Sequence, residues 1–426
     1  RTRVAERQRA ALESLLRALV PGNAFYAPRL AAAGLDAGID SIDTFRNRMP
    51  FTTKAELVAD QAAAPPFGTN LTFPLGSYTR ISQTSGTSGF SLRWLDTPES
   101  WAWMVRNWAR VFESAGIGAG DRIFFAFSFG PFLGFWTAFE AGAAVGALCI
   151  PGGGMSTELR LQALLGNAAT VLCCTPTYAL RLGDAARERG IDLAQSAVRS
   201  IVVAGEPGGA IPETRAAIES RWPGARVVDH HGMTEIGPVS YACPARPGVL
   251  HILEESFLVE VVDPETGAAL PPGVWGELIL TNLGRTGSPL LRYRTGDLVE
   301  TEVAGRCVCG TFDIALPGGI LGRTDDMVVV RGVNLWPAAV EAVVRRFPEV
   351  VEHVAVLGHR DAMAEVRVTI EPEEGGVDPD SLRERVEASL RTALGLRIPV
   401  EVAPPGTLPR YEFKARRWIR GGADGA

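Results

Sequence analysis

Through the first nineteen positions, RTRVAERQRAALESLLRAL, apolar residues recur at helical spacing among charged ones, which predicts an amphipathic helix. Further on the pattern shortens into apolar runs typical of strands. DRIFFAFSF (121–129), TVLCCTP (170–176) and SIVVAGEP (200–207) are each closed by Gly, Pro or Ser. Helix-like stretches such as TELRLQALLGNA and IPETRAAIESRW lie between them. This alternation predicts an α/β fold, in which ligands bind beyond the carboxyl ends of the strands. From 249 to 301, FLVEVVDPETGAAL and GVWGELILTNLG read as a β meander with turn signals. After GRTDDMVVVRG (322–332) a smaller α+β unit is expected, with helices at PAAVEAVVRRF and PDSLRERVEASLRTAL and strands at EHVAVLG and EVRVTIEP. A domain boundary therefore falls near Gly322 to Asp325, dividing a body at 1–321 from a tail at 322–426. No internal repeat is present.

Composition narrows the classes. The chain of 426 residues is 46% hydrophobic and 21% charged, which suits a globular protein with a sizeable core. A net charge of −6 argues against nucleic-acid or acidic-membrane surfaces as partners. No apolar run approaches the roughly 18 residues of a membrane span. The amphipathic start lacks a signal peptide's apolar stretch, and Glu6 and Glu13 argue against a transit peptide, so a cytoplasmic location is expected. Six cysteines in a chain this long do not form a disulfide framework. Of the 42 basic residues only Lys54 and Lys414 are lysines, and Lys414 sits in LPRYEFKARRW near the end.

The loop SQTSGTSG (82–89) is the first candidate for chemistry. Gly86 and Gly89 permit close backbone approach, and Thr84, Ser85, Thr87 and Ser88 add hydroxyls. Successive amides and hydroxyls make a nest for polyphosphate. The loop is not a GxxxxGK[ST] motif. Taken alone, it reads equally well as a surface linker.

Three further segments follow in order: DHHGMTEIG (229–237), YRTGDLV (293–299) and GRTDDMVVVRGVNLWP (322–337). Together with the loop and LPRYEFKARRW, they resemble the signatures of the adenylate-forming enzymes, the acyl-CoA synthetases and adenylation domains. VVAGEPGGAIPETR (202–215) and DDMVVVRGVNLWP are most similar to the phenylacetate–coenzyme A ligase branch. The resemblance spans nearly the whole chain. It implies ATP-dependent activation of a carboxylic acid to an acyl-adenylate, followed by transfer to a thiol, most simply coenzyme A. Delivery to a carrier-protein thiol or to an amine is the alternative. A nucleotide-binding regulatory protein without chemistry is the alternative of another class.

The resemblance also assigns residues. Glu235, beside the hydroxyl of Thr234, would hold Mg²⁺ against the triphosphate, where a carboxylate suits a hard cation. Asp297 would chelate the ribose hydroxyls, with Arg323 reaching ribose or phosphate. Ala204, Gly205, Glu206 and Pro207, with Asp229, His230, His231, Gly232 and Met233, would frame the adenine. Asp325 would be the hinge of a mobile tail, and Gly332 would line the thiol tunnel. Lys414 would swing over the site for adenylation alone, its compact ammonium offsetting charge between carboxylate and phosphate. The blander readings are an exposed loop acid for Glu235, turn capping for Asp297, and solvation for Arg323 and Lys414. Four positions depart from the family pattern: Phe90 stands where a lysine is common, Ser91 for proline, His231 for the usual aromatic and Phe413 for glycine.

Two constellations remain. Cys243, His251, Cys307 and Cys309 lie in the β region and could close a structural Zn²⁺ site, or equally be free buried thiols. The run FFAFSFGPFLGFWTAF (124–139) reads first as core, as Phe and Trp at that density usually do. In the family this region lines the acyl pocket, which makes Phe127, Phe129, Phe132 and Phe135 candidate walls for a flat aromatic acid. Nothing in the sequence fixes the oligomeric state, and a homodimer is among the arrangements it allows.

Overall fold

The computed structural model describes residues 2–84, 91–303, 305–330, 333–360, 363–411 and 415–420. Four helices open the chain: Thr2–Gly22 (α1), Ala27–Ala32 (α2), Ile42–Arg48 (α3) and Lys54–Ala63 (α4). Leu12, Leu15, Leu16 and Leu19 of α1 are buried against Tyr26, Leu30 and Phe45, so the amphipathic pattern finds its apolar partner. The α4 helix starts at a capping box in which Thr53 and Glu56 satisfy each other's free amides. The strands Arg80–Gln83 (β1) and Arg93–Asp96 (β2) then form an antiparallel hairpin.

The centre is a five-stranded, all-parallel sheet. Its strands are Arg122–Phe125 (β3), Leu148–Pro151 (β4), Val171–Cys174 (β5), Ser200–Val203 (β6) and Arg226–Asp229 (β7), in the order β4-β3-β5-β6-β7. The helices Pro98–Ser114 (α5) and Leu133–Ala144 (α6) cover one face. The other is covered by Thr157–Gly166 (α7), Pro176–Glu188 (α8) and Pro212–Arg221 (α9). Strand alternation divides neighbouring residues between these layers: Phe125 enters the core with Trp103 and Trp108, Phe124 the core with Tyr178 and Trp222. Burial on both faces explains why the strand runs are continuously apolar. Thr97, Ser156 and Thr175 cap α5, α7 and α8 through side-chain oxygens, and Pro98 and Pro176 occupy the first turn of α5 and α8.

A β region follows. Gly232–Met233 (β8) pairs with Gly237–Pro238 (β9), and Ser240–Ala242 (β10) with Val249–Ile252 (β11). The predicted meander is Phe257–Val262 (β12), Gly276–Asn282 (β13) and Tyr293–Val299 (β14), all antiparallel. Ala315–Pro317 (β15) adds to β11, and Gly322–Arg323 (β16) adds to β14. The chain then makes the hairpin Val328–Val330 (β17) and Val333–Leu335 (β18), and the helix Pro337–Val344 (α10). The last sheet contains Val350–Arg360 (β19), Met363–Pro372 (β20), Val400–Val402 (β21) and Trp418–Arg420 (β22), in the order β21-β20-β19-β22. The helix Pro379–Leu394 (α11) packs on it and ends at Gly395 in a left-handed conformation. The apolar cluster here is built from residues of 328–418 alone. Among the described residues, no helix is long and apolar enough to cross a membrane.

Candidate active site

The carboxyl ends of β6 and β7 bring the central motifs together. Asp229 closes β7, and burial pushes its carboxyl up to about 6. His230 is buried with its Nδ1 donating to the Ser240 carbonyl at 2.6 Å, and burial pushes it down to about 3, so the ring is neutral at physiological pH. His231 turns its Nε2 to Asp297 Oδ2 at 2.9 Å. Asp297 lies opposite Arg323 across β14 and β16, and its Oδ1 accepts from Arg323 Nη1 at 2.7 Å. Burial works against the charge on Asp297, but His231 and Arg323 outweigh it and hold the carboxyl below its usual range. Gly296, at φ +76°, leaves the space that guanidinium needs, since a Cβ there would lie 2.8 Å from Arg323 Nη2. Arg323 Nε also binds Asp325 at 2.8 Å, so the ribose candidates run directly into the hinge candidate.

Glu235 is buried, yet its Oε1 lies 3.4 Å from Lys54 Nζ at the start of α4. The carbonyls of Thr234 and Glu235 both accept from Arg285 Nη1, at 2.7 and 2.9 Å. Arg285 in turn makes a two-pronged bond to Asp96, both contacts 2.7 Å and both side chains fully buried. Lys54, Arg285 and Asp96 escaped the sequence reading. Only Lys54 gave a signal, as one of two lysines among so many arginines.

The hairpin β1–β2 holds the base of the Ser/Thr/Gly loop, with Thr84 buried and Leu92 donating to its Oγ1 at 3.0 Å. Ser85, Gly86, Thr87, Ser88 and Gly89 lie outside the described residues, as do Gly332 and Lys414. The amide of Ala415, the residue after Lys414, donates to Glu206 Oε2 at 2.8 Å. Ala204, Gly205 and Pro207 stand with Glu206 just past β6, as Gly232 and Met233 follow the His230–His231 pair. The Glu206 side chain is spent on two backbone amides, and its part in an adenine wall is left to the backbone.

The candidate acyl-pocket phenylalanines form one cluster past β3. Phe127 is buried and stacks on Phe135 at 4.1 Å, Phe129 meets Phe127 edge-on, and Phe132 meets Phe135 edge-on. Phe127 belongs to the main core, with Phe129 and Phe135 packed against it.

The four Cys and His residues do converge. Cys243 Sγ is 3.7 Å from Cys307 Sγ, Cys309 Sγ is 3.5 Å from His251 Nε2, and all four donor atoms lie within 4.8 Å of one another. Ligands ~2.3 Å from a tetrahedral ion stand about 3.8 Å apart, so the set has the right size for zinc. The Asp313 carbonyl accepts from His251 Nδ1 at 3.1 Å, which leaves the Nε2 lone pair facing the sulfurs.

Residues 84–284 match the model of the AMP-binding enzymes, and residues 332–420 match that of the AMP-binding enzyme C-terminal domain. A phenylacetate–coenzyme A ligase of Thermus thermophilus is 33% identical over 91% of this chain and 89% of its own. The chain belongs to the AMP-binding, adenylate-forming enzymes, in their phenylacetate–coenzyme A ligase branch. The corresponding ligase of Aromatoleum evansii is 32% identical over 87% and 84% of the two chains. A 2-hydroxyisobutyryl-CoA ligase in its postadenylation state, solved with an acyl-AMP, matches with a TM-score of 0.91 at 27% identity, covering 98% of this chain and 89% of its own. The same ligase with coenzyme A in the thioesterification state gives 0.73 at 98% and 90% coverage.

Proposed function

We propose that this enzyme joins an aromatic carboxylic acid to coenzyme A in two steps. First the acid's carboxylate oxygen attacks the α-phosphorus of ATP, forming acyl-AMP and releasing pyrophosphate. Then the coenzyme A thiol, losing its proton, attacks the acyl carbon and AMP departs. The observation that carries this reading is the convergence of His231, Asp297 and Arg323 beyond the carboxyl ends of a parallel sheet, in a chain of this family.

Each residue then has a task. Asp297, oriented by His231 and Arg323, presents an ionised carboxylate to the ribose hydroxyls. Glu235 is a hard oxygen donor suited to Mg²⁺, an ion commonly held by one or two carboxylates plus phosphates; when bound, that ion would screen the triphosphate charge. The loop from Thr84 to Gly89 would cradle the phosphates, and Lys414 would offset charge as carboxylate meets phosphate. The tail beyond Gly322 would turn about Asp325 between steps, bringing Gly332 to the thiol path. Zinc in the Cys243, His251, Cys307, Cys309 set would be structural, since protein donors fill all four positions.

The aromatic preference rests on the Phe127, Phe129, Phe132 and Phe135 cluster and on the phenylacetate ligases among the relatives. Pyrophosphate release and thioester formation over a panel of aryl and linear acids test it. Phenylacetate- or benzoate-type acids are expected to exceed octanoate by about 10-fold or more, the scale of a shaped apolar pocket. Equal rates would remove the aromatic claim, and silence with every acid would remove the activity itself.

A further inference from the structure

Glu206 does something that a wall residue does not need to do. Its carboxylate bridges two backbone amides from distant parts of the chain. Oε1 accepts from Thr177 N, in the first turn of α8, at 2.8 Å, and Oε2 accepts from Ala415 N at 2.8 Å. The first amide belongs to the body, and the second follows Lys414 directly. Two residues on, Arg417 returns to the same spot: its Nη1 donates to Thr177 Oγ1 at 3.1 Å, while Nε and Nη2 bind both oxygens of Glu352 at 2.6 and 3.0 Å. Residues 415–417 are thus held to the body at two points, Ala415 by Glu206 and Arg417 by Thr177 at the start of α8. A flexible lysine stem gains nothing from a well-shaped slot unless the chain beside it is held, and these contacts hold the chain from Ala415, the residue after Lys414.

We propose that Glu206 is a positioning residue for the adenylation step: it captures the Ala415 amide, seats Lys414 over the reacting acid and phosphate, and releases it for thioester formation. This rests on the two-step reading above. The overall arrangement agrees with it, because the match is 0.91 to the ligase in its postadenylation state and 0.73 to the same ligase in its thioesterification state. The lower match to the thioesterification state is what a contact made in the first arrangement and released in the second would give.

The test separates the half-reactions in the full-length enzyme with its preferred acid. Glu206→Ala removes both acceptors; Glu206→Gln keeps one. Adenylation is read as acid-dependent pyrophosphate release, and the second step as conversion of added acyl-AMP and coenzyme A to thioester. Glu206→Ala is expected to lower kcat for adenylation about 10- to 100-fold, the range of one hydrogen bond to a charged group, with Glu206→Gln between it and the parent. KM for ATP and the second step should stay within about twofold. Equal loss in both steps would make Glu206 merely structural, and a loss confined to KM for ATP would return it to the adenine wall; either overturns the proposal while the two-step reading stands. A parent enzyme silent in both steps would overturn that reading and this proposal together. Glu206→Gln, which preserves volume and one bond, covers the case in which the alanine variant does not fold.

Discussion

Arg285 illustrates what a single side chain does here that no motif announces. Its guanidinium is wholly buried, neutralised by Asp96, and holds the carbonyls of Thr234 and Glu235 in place. Removing one member of such a pair strands a buried charge, at a cost of roughly 3–5 kcal/mol. Arg285→Met should therefore lower stability in chemical denaturation by that amount, and Asp96→Leu in the same chain should restore part of it; strict additivity of the two would mean that they act independently. Glu235→Ala should cut Mg²⁺-dependent pyrophosphate release by roughly 100-fold while the melting temperature stays near the parent value. Near-normal turnover in that variant would end the metal assignment. The sequence made Glu235 visible through GMTE and hid its support, because Asp96 and Arg285 lie 189 positions apart with no pattern joining them. His231 was legible as a site residue through its place before GMTE. Its bond to Asp297, 66 positions away, was not.

At the scale of elements, periodicity carried most of the information. The alternating runs became β3, β5 and β6, the meander became β12 to β14, and the tail's helices and strands fell where their apolar spacing put them. The phenylalanine-rich run shows where this fails. Core and pocket wall need the same side chains, so Phe127 and Phe135, stacked against the main core, could not be told from a substrate surface by composition. The antiparallel register of β14 and β16 sets Asp297 against Arg323, and Gly296 keeps that crossing open. Gly296→Ala would place a Cβ in a left-handed backbone and against the guanidinium. It should raise KM for ATP about 10-fold or more, with a modest fall in melting temperature; an unchanged KM would separate the crossing from nucleotide binding. The β10–β11 hairpin and the Cys307–Cys309 turn make a second such junction. Purified protein should carry one zinc per chain, and chelation should lower the melting temperature without altering the KM for acid. Protein free of zinc, with all four groups open to alkylation, would identify them as ordinary thiols.

For the molecule as a whole, the tail closes its own core: among the described residues its apolar cluster takes none from the body. Among the described residues, several polar pairs reach across. Arg346 meets Glu213 at 3.1 Å, Arg187 meets Glu373 at 3.0 Å, and Arg417 and Glu206 form the clamp at α8, while Trp275 meets Trp336 near the hinge candidate. On the proposed two-step reading, a tail with its own apolar cluster can turn between steps without opening that cluster. A joint made this way answers to ionic strength. The exposed pairs are each worth no more than about 1 kcal/mol and weaken as dissolved ions shorten the Debye length from ~10 Å towards ~3 Å. On the proposed reading, in which the first step alone uses the tail docked as it is here, added salt should slow pyrophosphate release more than it slows thioester formation from acyl-AMP. The salt content of its surroundings would then set how the enzyme divides its time between making an acyl-adenylate and spending it.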